Sequence, residues 1–372
     1  MHTVSFYPLG NADSIKIDLA NDRTLLFDYA NMRDPDDKDD LRIDLPGQLR
    51  KELAKAGRDR FDVVAFTHLD DDHVTGAPDF FFLEHAAKYQ GGDRVKIDEL
   101  WVPAGAIIET GLSGDKQVIR AEARHRLLKG KGIRVFSRPG LLEEWLEDHG
   151  LTLKDREHLI TDAGQLIPGF SKAKDEIEFF VHSPFAMRMD DDKVVDRNRD
   201  ALVVQATFVR WGTETKVILA SDVDHEVIAD IVAVTRSRNR DERLEWDVVK
   251  LPHHCSYLSL GPEKGAQKTE PTANVNWLYE DHGQRRGRVI STSKPIPTDD
   301  TEQPPHRQAA NYYREMVAGK AGEFLVTMEH PKKSAPEPLV IEISGRGAAV
   351  RKAITGGGVA AITHPSPRAG DV

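Results

Sequence analysis

A layered α/β fold is the architecture predicted for this 372-residue chain. Strand-like runs occupy both ends of the sequence, and helical periodicity fills the middle and returns late. No convincing linker interrupts the chain before about residue 345, so one domain with a helical insertion is the economical reading. Composition agrees, since 39% hydrophobic and 30% charged residues are ordinary for a globular protein with a large core.

The chain opens with "TVSFYPL", "SIKIDL" and "TLLFDYA", separated by "GNAD" and "ND", which reads as a β-meander. A polar loop at 32–42 leads to a short helix in "LPGQLRKELAKAG", with Gly57 near its end. The apolar run "FDVVAF" reads as a strand and ends abruptly in "THLDDDHVTGA". Apolar residues then recur at three- and four-residue spacing in "KQVIRAEARHRLLKGKG" and "GLLEEWLEDHGL", so a helical insertion is expected over about 105–170. Strands return in "IEFFVHSP", "ALVVQATFVRW", "KVILASD" and "DVVKLPHH". After a Pro/Thr-rich loop, "HRQAANYYREMVAG" is expected to be helical, with strands in "EFLVTME" and "LVIEIS". Residues 346–372, rich in Gly, Pro and Ala, read as a flexible C-terminal tail.

Bulk properties exclude several classes. No apolar stretch reaches 18 residues, so no transmembrane helix is expected, and "MHTVSFYPLG" lacks the basic start and apolar core of a secretory signal. The single cysteine, Cys255, excludes an internal disulfide and fits a reducing compartment, with a cytoplasmic location as the default. A net charge of −10 argues against a protein that grips long duplex DNA through phosphate neutralisation. Basic clusters at 236–243 and 284–288 would either line a groove or form solvated loops and helix ends.

Three strands share one design. "DVVAFTH", "KVILASD" and "DVVKLPH" each place a ligand-type side chain, His68, Asp222 and His253, six residues after the first residue of an apolar run. Buried strands hold the residues at their ends rigidly, and sites in layered α/β folds collect there. In "HLDDDH", His68 and Asp70 are two apart and can face one ion in an extended segment. Asp72 and His73, where the chain bends, can turn to a second. An acidic surface loop with chance histidines is the plainer alternative, and the two parallel designs weigh against it.

These residues resemble the metallo-β-lactamase fold, in the branch similar to the hydrolase domain of ComEC-type DNA-uptake proteins. His68, Asp70, Asp72 and His73 match its H-x-D-x-D-H motif within a T-H-x-D-x-D-H-x-x-G frame ending at Gly76. "ASD", ending at Asp222, matches its T-G-D strand end, and "KLPHHCS" (250–256) matches its K-x-P-H-H-G-S. Weaker echoes include Asp13 and Asp28 in the opening hairpin, Asn198 before a strand, and His306 in "PPHRQ" before a helix. The order is collinear from about residue 3 to 345. Cys255 stands where the family has Gly, Ala201 where it has Ser, and "PH" where it has H-P. The Cys255 thiol is either a soft ligand beside His254 or a small residue tolerated behind the turn.

The resemblance implies an αβ/βα sandwich, with residues 1–345 as a metallo-β-lactamase-like catalytic domain. It also implies two divalent metal ions, Zn2+ or Mn2+, with a bridging water or hydroxide. His68 and Asp70 are assigned to the first ion, Asp72 and His73 to the second, with Asp222 bridging. Either His253 or His254 completes the second ion. His182, in "FFVHSP", is a candidate third ligand of the first ion, or else a core or strand-end histidine. Asp72 and Asp222 are the expected catalytic carboxylates. His306 would contact substrate phosphate or act as an acid, unless it is simply a histidine at a helix start. Asp70, in place of the usual second histidine, shifts the preference towards manganese, because carboxylates favour harder ions.

The activity implied is that of a metal-dependent hydrolase, a phosphodiesterase or nuclease, without the membrane channel of those uptake proteins. The acidic balance favours single-stranded nucleic acid or a small phosphodiester as substrate. A lactone or thioester hydrolase is the runner-up, because the fold hosts both. A catalytically silent scaffold is a third reading, and the near-complete ligand set weighs against it.

Overall fold

The computed structural model describes residues 1–192 and 195–352. In its first sheet, β1 (His2–Phe6), β2 (Ile15–Asp18), β3 (Thr24–Phe27), β4 (Arg60–Ala65), β5 (Lys96–Pro103), β6 (Ile133–Phe136) and β7 (Ile160–Thr161) stand side by side in chain order. The second sheet carries β8 (Ile177–Ser183), β9 (Val203–Arg210), β10 (Thr213–Leu219), β11 (Trp246–Lys250), β12 (Gly283–Ser291) and β13 (Glu323–Val326), also in chain order. A small hairpin of β14 (Pro331–Lys332) and β15 (Ala335–Pro336) comes next. The chain then returns to the first sheet, where β16 (Leu339–Ser344) pairs with β1 and β17 (Gly347–Val350) with β16.

Side chains along the central strands alternate between two buried clusters, so both faces are covered. In β4, Val63 and Ala65 join one buried cluster and Val64 another; in β10, Val217 and Leu219 are likewise separated from Ile218. That is why these runs read as continuously apolar. The cluster between the sheets joins Phe27, Val63 and Trp101 of the first to Phe179, Val217 and Val248 of the second. Trp101 and Phe179 meet edge to face at 5.6 Å. Outside the first sheet pack helices Leu45–Lys55, Gly114–Lys129 and Gly140–Glu147; outside the second pack His225–Ser237, Ala273–Glu280 and Arg307–Gly319. The layering is therefore helix, sheet, sheet, helix, the αβ/βα sandwich expected.

The middle segment and the tail differ from expectation. Within 105–170, β6 and β7 extend the first sheet in parallel beyond β5, so the insertion is a run of β and α units. Four-residue "IRVF" is too short for periodicity to separate from its helical flanks. Beyond residue 345, β17 pairs with β16 around Gly347, whose φ of +87° lets the chain turn back. Composition alone hides such a strand, because its ladder bonds come from a partner already in place. The remainder of the expected tail, 353–372, lies outside the described residues.

Strand direction decides where the ends go. β3 to β7 run parallel, as do β10 to β13. The segments after β3, β4, β10 and β11 contain Asp28, His68, Asp222 and His254, and backbone bonds tie them together. Thr67 accepts from Leu202 N–H at 2.8 Å, and Ser221 accepts from His253 N–H at 3.2 Å. The basic clusters belong to the opposite ends: 236–243 precedes β11, and 284–288 lies in β12 before its C-terminal end. There Arg243 pairs with Glu178 and Arg288 with Glu323. They line no groove at the ligand end. Among the described residues no helix is long and apolar enough to cross a membrane.

Candidate metal centre

Asp72, His73, Asp222 and His254 each bring one ligand atom to within 4.8 Å of the others. Each arrives from a different constraint. Asp72 and His73 lie on the single helical turn Asp71–Val74 after β4, whose carbonyls accept from neighbouring loops: Asp13 N–H to Asp72 at 3.0 Å, and Tyr29 N–H to His73 at 3.0 Å. Asp222 lies just beyond β10. His254 sits in a short turn where His253, His254 and Cys255 all have left-handed backbone, with φ of +47°, +53° and +66°. For side chains with a Cβ this conformation costs about 1–2 kcal/mol each, so the surrounding contacts must hold the turn.

The imidazoles are oriented by what their other nitrogen touches. His73 Nδ1 lies 2.9 Å from Asp28 Oδ2, which leaves Nε2 facing Asp222 Oδ2 at 3.5 Å. His254 Nδ1 donates to the Thr292 carbonyl at 2.7 Å, and its Nε2 meets Asp72 Oδ2 at 3.0 Å and Asp222 Oδ2 at 3.4 Å. His68 Nδ1 and Thr67 Oγ1 both contact Ser221 Oγ, at 3.1 and 2.7 Å. The His68 ring lies 3.9 Å from that of His73. Fixing one ring nitrogen on an oxygen so that the other is presented is the arrangement metal-binding histidines use.

Charge is concentrated and only partly compensated. Lys250 is fully buried, ion-paired to Asp13, and lies 3.6 Å from Asp222 Oδ1. Burial opposes its charge, but Asp13 and Asp222 outweigh that and raise its pKa. Burial would also lower His254, yet Asp222 and Asp72 push it up to about 10. The same competition, won by Asp28, Asp222 and Asp72, raises His73 well above its ordinary value. His68 lacks such support, and burial beside His73 pushes it down to about 3.

The atoms present fit a divalent ion. His68 Nε2, His73 Nε2 and Asp222 Oδ1 are buried with no hydrogen-bond partner, a costly state for polar groups unless a ligand satisfies them. Two imidazoles and two carboxylates on one point form an N/O donor set suited to zinc or manganese. The first-ion side is sparser. His68 Nε2 and Asp70 Oδ2 stand 3.6 Å apart, and no third terminal ligand joins them among the described residues.

Several residues singled out from sequence lie apart from the cluster. His182 Nε2 donates to the Arg243 carbonyl at 2.9 Å, and its ring packs on Phe180 in the outer layer. It is the core histidine of the two readings and supplies no ligand to the first ion. His253 is partly exposed and outside the four-residue group, so His254 is the histidine presented there. His306 accepts from Tyr257 N–H at 3.3 Å through Nδ1, and its Nε2 donates to the Glu302 carbonyl at 3.3 Å. Both ring nitrogens meet backbone groups, its own N–H donates to the Cys255 carbonyl at 3.1 Å, and it lies outside the four-residue group. Cys255 is buried in the outer core and lies outside the four-residue group, and burial pushes its thiol up to about 12. Asp71 is exposed and pairs with Lys116 at 3.0 Å.

Other contributors escape a reading of the sequence. Lys250, the last residue of β11, enters there only as part of a motif, although a buried lysine is itself a sign of charge pairing. Thr67 and Ser221 act through contacts distant in sequence and leave no local signal.

No protein-family model and no curated protein matches this sequence. Among solved structures, this chain is similar to a diphosphatase from the PhnP family, at 13% identity over 82% of this chain and 93% of that one, with a TM-score of 0.31. It is also similar to unliganded yeast PDE1, at 10% identity over 87% of this chain and 96% of that one, with a TM-score of 0.41.

Proposed function

We propose that this chain is a divalent-metal-dependent hydrolase of phosphodiesters, acting on single-stranded nucleic acid or a small phosphodiester. The observation that carries the reading is the convergence of Asp72, His73, Asp222 and His254, with His68 beside them, where the buried His68 Nε2, His73 Nε2 and Asp222 Oδ1 have no hydrogen-bond partner. A bound divalent ion there would lower the pKa of water and polarise a phosphoryl oxygen.

The chain's own residues prepare that position. Asp28 and the Thr292 carbonyl aim His73 and His254. Lys250, held by Asp13, keeps Asp222 ionised and in place. Asp72, about a third exposed, marks the solvent side of the cluster, where substrate would enter. The net charge of −10 favours a small or single-stranded substrate over a duplex.

The test is cleavage of a bis-aryl phosphate and of single-stranded DNA with added manganese or zinc. Asp72→Asn and Asp222→Asn are expected to lower turnover roughly a hundredfold or more. Turnover of a lactone or thioester with no phosphodiester cleavage would overturn the proposal.

A further inference from the structure

Asp70 is where this centre departs from a two-ion design. Its Oδ2 faces His68 Nε2 at 3.6 Å, but its Oδ1 lies 2.6 Å from Arg197 Nη1. Arg197 is held firmly. Its Nε reaches both oxygens of Glu109 at 2.9 and 3.0 Å, and its Nη2 donates to one of them at 2.6 Å. The guanidinium thus bridges two carboxylates, in the forked geometry that makes arginine–carboxylate pairs strong and directional. Its charge is always present and is set against the one carboxylate that belongs to the first-ion side alone.

The ligand count points the same way. Asp72, His73, Asp222 and His254 surround one position, whereas among the described residues the other side has His68 and Asp70, whose carboxylate is paired with Arg197. His182, the remaining candidate, is committed to the Arg243 carbonyl. Stable sites for divalent transition metals ordinarily supply three or four protein ligands, and a fixed cation beside a two-ligand site repels an incoming ion.

We propose that the centre retains a single divalent ion, on Asp72, His73, Asp222 and His254, and that Arg197, anchored by Glu109, supplies at Asp70 the positive charge a second ion would bring. This rests on the metal-dependent reading above. It is tested by counting metal without substrate, so either can fail while the other stands.

Protein stripped with a chelator is reloaded with excess zinc or manganese, gel-filtered, and its metal measured by mass spectrometry against protein concentration. One equivalent is expected for wild type and for Arg197→Lys, which keeps the charge. Asp70→Asn, at a partly exposed position, is expected to keep that equivalent, because Asp70 does not hold the ion. Arg197→Met frees Asp70 and is expected to retain a second equivalent. Two retained equivalents in wild type would overturn the proposal, as would loss of metal in folded Asp70→Asn. Folded Arg197→Met that stays at one equivalent would overturn the role given to Arg197.

Discussion

Asp28 Oδ2 lies 2.9 Å from His73 Nδ1, and Thr67 gives the same carboxylate its N–H and its hydroxyl, each at 2.7 Å. One buried acid at the end of β3 therefore aims a ligand carried by the segment after β4. Asp28→Asn leaves one acceptor for three donors and turns an amide N–H towards one of them. Metal affinity is expected to fall about 10–100-fold with the fold retained. Competition with a chromogenic chelator reads this directly, and an unchanged affinity would show that Asp28 does not orient His73.

Lys250 neutralises two buried carboxylates at once. Lys250→Met removes the buried ammonium that pairs with Asp13 and lies beside Asp222, a change worth about 3–5 kcal/mol of stability. Urea unfolding in chelator measures it. Adding Asp13→Asn should recover part of the loss; a loss under about 1 kcal/mol for Lys250→Met alone would contradict the pairing.

His182 is buried against apolar side chains, and burial lowers its pKa from 6.5 to about 4. Above pH 6.5 it is neutral folded and unfolded, so it adds no slope there. Between 6.5 and about 4 the unfolded chain takes a proton that the folded chain refuses, so stability falls as pH falls. The loss attributable to this residue is roughly 3 kcal/mol across the window. Unfolding curves at pH 7.5 and 4.5 should therefore differ less for His182→Gln than for wild type. Equal differences would mean that the ring is not held neutral.

His306 offers both ring nitrogens to backbone groups, so its removal is structural in effect. His306→Ala should cost about 1–2 kcal/mol, leaving the shape of the pH–rate profile for phosphodiester cleavage unchanged. Disappearance of an alkaline limb from that profile would instead restore it as an acid.

The strand-end motifs were legible because each couples an apolar run, dictated by two buried faces, to a polar residue that has no reason to be there otherwise. "DVVAFTH", "KVILASD" and "DVVKLPH" are of this kind, and β4, β10 and β11 indeed lead to the centre. β6, β7 and β17 were not legible, since two to four residues carry no period and their hydrogen bonds depend on a neighbour. His182 misled because an apolar strand ending in histidine looks the same whether its ring turns towards the ligand end or into the outer core.

By itself the sequence determined the layered α/β class, the strands that lead to His68, Asp72, His73 and Asp222, and the acidic character of what they build. Only the tertiary structure brings His254, and not His253, into the four-residue group. Adjacent residues differ in which way a left-handed turn throws each ring, and only His254 finds the Thr292 carbonyl for Nδ1. It also set Arg197 against Asp70, residues separated by 127 positions. Contacts of that range arise from the packing of finished elements, and no local pattern of residues encodes them.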